Sequence, residues 1–160
     1  MKMERIKKLV GFIKYLENAN VYKFKIDTFE DRLKLQKLVY IARYYGIDLG
    51  YNFSEYLRGP YSPELADDYY MLSEKLKDFK DIAATIDGES VEKFVKFIKD
   101  NSVDKLEGIA TGLMFLSTLK RSNKDKETLK KEVATLVRSR KPFLANESDE
   151  IAEIVVSNFA

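Results

Sequence analysis

The sequence predicts a mainly α-helical protein, a single compact domain of about seven helices with a minor β-hairpin or extended turn near residues 51–61. Three observations lead to that fold class. Apolar residues recur at spacings of three and four along almost the whole chain. Turn-forming residues fall between the periodic stretches, at Gly46, Gly50, Gly59-Pro60, Asp87-Gly88 and Pro142. No repeat, low-complexity tract or Gly/Ser linker marks a domain boundary within the 160 residues. A chain of this length buries about 68–70% of the surface its unfolded form exposes, so its core needs neither a metal nor a disulfide.

Ile6, Leu9, Val10, Ile13 and Leu16 define a first helix over residues 3–17. Lys23 to Ile26 is short enough to be extended. Thr28 followed by Asp31 has the spacing of a capping box, and Gly46 can take the left-handed conformation that ends a helix. Between them Leu35, Leu38, Val39, Ile41, Ala42 and Tyr45 make a broad apolar face, which predicts a central helix. Tyr51 to Tyr56, bounded by Gly50 and Gly59-Pro60, reads as a short strand or extended turn. Ser62-Pro63 then offers an N-cap and the proline favoured at the first helical position, opening a helix to about residue 79. Ser90 and Ser102 are expected to cap helices over 91–100 and 103–121. The second of these is apolar around most of its circumference and must be enclosed by others. Leu129, Val133, Leu136 and Val137 define a helix over 124–139 that Pro142 stops. Ser148 is expected to cap a last helix carrying Ile151, Ile154, Val155 and Phe159.

The composition narrows the available chemistry. Without histidine there is no ordinary general base near neutral pH, no Ser-His-Asp triad and no His-containing zinc site. Without cysteine there is no thiol nucleophile, and a reducing compartment is consistent with its absence. The seven glycines never cluster into a phosphate-binding loop. Gly108 and Gly112 instead have the small-residue spacing that lets helices approach closely. The longest uncharged run, Gly108 to Leu119, is far short of the ~20 residues that span a bilayer. The N-terminus leads into an amphipathic pattern rather than an apolar leader, so the expectation is a cytoplasmic protein with no membrane partner. Carboxylates remain. Glu64, Asp67 and Asp68 share the start of a helix, where they complement its dipole, although such oxygen clusters also hold Mg²⁺ or Mn²⁺. A Glu55–Tyr61 pair is a still less specific catalytic candidate. No cofactor and no catalytic residue is expected.

Charge is segregated along the chain: residues 1–58 carry +5, residues 59–107 carry −5, residues 120–141 carry +6 and residues 142–160 carry −4. The run from Lys120 to Lys141 could follow a phosphate backbone, but Asp125, Glu127 and Glu132 interrupt it at spacings suited to pairing within the helix. Eight of the ten tyrosines lie between Tyr40 and Tyr70. Those on the helix are core candidates. Those around the turn, next to Arg58, suit an interface or base stacking.

Lys34-Leu-Gln-Lys-Leu-Val-Tyr40, followed by Tyr56-Leu-Arg-Gly-Pro-Tyr-Ser62 and Glu64-Leu65, resembles the signature of the Panacea and phage-associated protein group, especially its YwgA-like branch, over about residues 33–76. The resemblance implies a mainly helical domain. It also implies a non-enzymatic role in binding a protein partner, as an antitoxin that neutralises a toxin or as an adaptor. By motif match, Gln36, Lys37, Tyr40, Gly59, Pro60, Tyr61 and Ser62 are candidate partner-binding positions, and Tyr56 and Arg58 join them as the aromatic and the cation at the turn. The alternatives are a winged-helix-like nucleic-acid-binding regulator using Arg58 and the basic stretch, and a carboxylate-dependent metal enzyme at Glu64, Asp67 and Asp68.

Overall fold

A computed structural model describes residues 2–57, 59–79, 81 and 83–160. Helix dominates, as the apolar spacing requires: α1 (Lys2–Asn18), α2 (Phe29–Ala42), α3 (Pro63–Phe79), α4 (Glu89–Asp100), α5 (Val103–Leu119), α6 (Lys126–Arg140) and α7 (Ser148–Phe159). Strands β1 (Ser54–Tyr56) and β2 (Gly59–Tyr61) form a two-stranded hairpin between α2 and α3. The chain groups into two compact units, Met1–Ser54 with Tyr61–Asp100, and Glu55–Pro60 with Asn101–Ala160.

In the first unit α2 is the central element. Every residue from Leu35 to Ala42 is buried, so the helix has no solvated side over its last two turns. Thr28 and Asp31 form the expected capping box: the Thr28 hydroxyl accepts from the Asp31 N–H, and the Asp31 carboxylate accepts from the Thr28 N–H. The helix tightens into a 3-10 turn over Arg43–Tyr45, and Gly46 closes it with a left-handed φ of 79°. Leu9, Phe12 and Leu16 of α1, Leu65, Tyr69 and Leu72 of α3, and Phe94 of α4 are also fully buried in this unit. Tyr45, expected on the apolar face, is half-buried with its ring 5.6 Å from those of both Phe94 and Phe97. Residues 23–26 are irregular rather than a strand.

One close approach organises α1. The irregular segment after α3 crosses it at Gly11, where the Ala84 N–H donates to the Lys7 carbonyl at 2.9 Å. A Cβ at position 11 would stand 2.1 Å from the Ala84 carbonyl oxygen, so only glycine admits the crossing.

The second unit packs α5, α6 and α7. The Gly108/Gly112 spacing serves close helix contact, as expected: a Cβ at 108 would meet Ile151 Cδ1 at 2.6 Å and Leu144 Cδ1 at 2.9 Å, and one at 112 would meet Val155 Cγ2 at 3.1 Å. Leu106, Ile109, Leu113, Val133, Val137, Ile151 and Val155 fill the centre. One ion pair is sealed into this unit, with Lys141 Nζ donating to Glu107 Oε1 at 2.8 Å. Such a pair is costly to break, because either partner alone would be a buried charge.

Two of the expected caps are elsewhere. α4 begins at Glu89, placing Ser90 inside the first turn. Ser148 is the first residue of α7, preceded by a 3-10 helix over Pro142–Glu147; its hydroxyl donates to the Ala145 carbonyl and accepts from Arg138 Nη1. Ser102 caps α5 as expected, accepting from the Lys105 N–H. α6 starts from Asp125, which accepts from the Thr128 N–H.

Candidate functional site

The motif residues fall into an interior set and an exposed set. In the interior set, Gln36 is fully buried and its carboxamide faces the backbone of Ser62. Gln36 Nε2 donates to the Ser62 carbonyl at 2.9 Å, and the Ser62 N–H donates to Gln36 Oε1 at 2.9 Å. The side chain thus satisfies the N–H of a residue that lies beyond the end of β2 and shares its carbonyl with the Ala66 N–H. Ser62, held in place, caps α3: its hydroxyl accepts from the Leu65 N–H and donates to Glu64 Oε2. Lys37 is 3% exposed and Tyr40 is buried. Gly59 and Pro60 are buried and Tyr61 is half-buried. Gly59 has φ of 109°, a conformation that side chains rarely adopt, which accounts for glycine at the return of the hairpin.

The exposed set is smaller. β1 is solvent-facing along its whole length. Tyr56 at its end is 47% exposed, and Leu57 beyond it is 84% exposed. Arg58 lies outside the described residues. Glu55 anchors β1 through an ion pair with Arg140 at 2.6 Å, and the Arg140 guanidinium also stacks on the Phe115 ring at 5.4 Å. Leu57 was not among the sequence candidates. The signal that points to it is an aliphatic residue directly after β1, where the chain turns and polar or glycine residues are usual.

The acidic trio does not converge. Ser62 donates to Glu64, Asp67 is solvent-exposed, and Asp68 points inward with no exposure. The Tyr51 hydroxyl donates to Asp68 Oδ2 at 2.7 Å, and Arg5 Nε lies 3.5 Å from the same oxygen with its guanidinium over the Tyr51 ring. Burial, and then the bond to Asp68, hold the Tyr51 phenol well above its ordinary value. Among the described residues no group of three or more acidic side chains has an arrangement that could hold a metal ion.

The basic stretch after Lys120 is largely engaged by acidic groups. Lys124 pairs with Glu132, Lys130 with Glu127 and Glu153, and Arg138 with Asp149. Arg140 and Lys141 have the partners given above. Among the described residues no helix is long and apolar enough to cross a membrane.

No protein-family model, no curated protein and no solved structure matches the chain.

Proposed function

We propose that the chain is a non-enzymatic, cytoplasmic module that binds a protein partner through the hairpin tip at Tyr56 and Leu57, in the manner of an antitoxin or adaptor. The observation that carries this reading is Leu57, a large aliphatic side chain 84% exposed beside a half-exposed tyrosine. Paired apolar side chains at the tip of an ordered hairpin cost solubility and contribute little to folding, whereas at an interface an aromatic and an aliphatic anchor dominate affinity. The base of the hairpin is held by the Glu55–Arg140 pair, and β2 runs directly into the clamped Ser62. A pre-ordered tip loses little entropy on binding.

The pairing of Lys124, Lys130, Arg138 and Arg140 with carboxylates weighs against the nucleic-acid alternative, since those cations are already neutralised locally. The test is purification of a tagged chain from its native host, wild type against a Tyr56→Ala/Leu57→Asp double variant. A stoichiometric protein retained by the wild type and lost by the variant, with the circular dichroism of the two unchanged, is expected. Equal retention by both, or no stoichiometric protein with the wild type, would refute the reading.

A further inference from the structure

We propose that Arg43 is a second recognition element, a pre-set guanidinium that takes the carboxylate side chain of an acidic polypeptide. It rests on residues of the first unit and not on the hairpin tip. Arg43 opens the 3-10 turn at the end of α2 and is solvent-exposed. Its guanidinium carbon lies 5.9 Å from the Tyr40 ring centroid and 5.6 Å from that of Phe53. The two rings meet edge to face at 5.2 Å, and the Tyr40 hydroxyl is 3.1 Å from that of Tyr44, so the floor beneath the cation is itself fixed.

A cation held over aromatic rings by charge–quadrupole attraction spends none of its N–H donors on them. The other described arginines whose side chains have a place in the hydrogen-bond and ion-pair network have already used theirs. Arg5, Arg138 and Arg140 pair with Asp68, Asp149 and Glu55, and Arg32 donates to the Ile26 carbonyl. Among the described residues no carboxylate pairs with Arg43. An arginine immobilised on an aromatic floor has lost much of its rotamer freedom before any ligand arrives, which is what makes a single cation useful for recognition.

The occupant follows from charge. A planar fork of donors matches a carboxylate two bonds at a time. A nucleic-acid strand presents a charge at every nucleotide and demands a file of cations. Between buried Lys37 and Arg58 the sequence has no cation besides Arg43, and it carries Asp48 and Glu55. A single guanidinium fork suits one acidic side chain. The alternative role is structural: a cation at the C-terminal end of α2 complements the helix dipole. That role predicts a change in stability on substitution and no response to anions.

The test is a nuclear magnetic resonance titration of the full chain with a blocked glutamate-rich peptide, following the Arg43 Nε–H and the Phe53 ring, with oligothymidylate as a parallel arm. A saturable shift at both reporters with the peptide is expected. Arg43→Gln should weaken the response about tenfold or more, as loss of a charge-assisted hydrogen bond requires. Arg43→Lys, which keeps the charge at the helix end but not the fork, should also weaken it. Absence of a saturable shift at Arg43, undiminished peptide affinity in Arg43→Gln, or tighter binding of oligothymidylate than of peptide would overturn the proposal.

Discussion

At the scale of single residues, the clearest dependence is that of the α2–α3 junction on Gln36. Its carboxamide satisfies a buried N–H and a buried C=O of Ser62 at once. A Gln36→Leu substitution keeps the volume and strands the Ser62 N–H without water, while the Ser62 carbonyl keeps only its bond from the Ala66 N–H. It is expected to destabilise the fold by about 1–3 kcal/mol, from the penalty of one unsatisfied buried donor, as read from urea denaturation. The sequence marked Gln36 by motif but did not show which way it faces. A polar residue in an otherwise apolar helix reads equally well as a contact or as an internal clamp until its partner, 26 residues away, is known. The place of Asp68 near the start of α3 fits the helix dipole, yet it lies on the stripe that carries Leu65 and Leu72, and an acid on an apolar stripe signals a buried hydrogen-bond partner, here Tyr51.

At the scale of elements, apolar spacing was sufficient to find the helices, because each buries a face with a period of 3.6. Helix ends depended on local chemistry and were read less evenly. The Thr28 box and the Ser102 cap were legible. Ser90 and Ser148 were not caps, since a serine inside a first turn has the same local sequence appearance as one just before it. Close approaches separate in the same way. Gly108 and Gly112 announced themselves by spacing, whereas Gly11 is a lone glycine in a helix whose neighbour comes from a distant loop. The structure ranks their substitutions. At Gly108 the obstructing atoms are the tips of Ile151 and Leu144, which can turn aside, so Gly108→Ala is expected to cost about 1–3 kcal/mol. At Gly11 the obstruction is backbone, and relief means expelling the segment at Ala84 with loss of its hydrogen bond to Lys7. Gly11→Ala should therefore lower the thermal midpoint more than Gly108→Ala, and raise hydrogen exchange at the Ala84 amide. The reverse order would contradict this packing.

At the scale of the whole molecule, the lack of histidine and cysteine leaves a wide pH interval without a titrating side chain. On the acid side, the Asp31 and Asp125 carboxylates are held below their ordinary range: at Asp31 the largest single effect, loss of water contact, acts upward and is outweighed by the Thr28 amide and hydroxyl together with Lys25, and Asp125 is lowered chiefly by the Thr128 amide. Glu153 is lowered chiefly by Lys130. Depressed acids contribute stability above their unfolded values and lose it as pH falls through their folded ones. On the alkaline side, burial pushes Tyr45 up to about 12 and moves Tyr22, Tyr40, Tyr51 and Tyr69 further in the same direction. Groups raised in this way contribute stability below their ordinary value near 10 and lose it as pH rises through the folded value. The denaturation midpoint should therefore be flat from about pH 5 to about pH 9 and fall on both sides. A step near pH 6–7 would be inconsistent with this ionisation pattern. The division into two compact units had no compositional signal, because the chain passes between them at strand ends and at the Ser102 helix cap rather than through a linker.

The Gln36 clamp has a consequence for variation at that position. A carboxamide is the one side-chain group that reproduces a peptide unit, with donor and acceptor side by side on one plane, and asparagine is a methylene short of the reach. The amide of Gln36 stands in for a strand neighbour that Ser62 otherwise lacks. Position 36 is consequently closed to drift by chemical identity, where an ordinary core position is closed only by size.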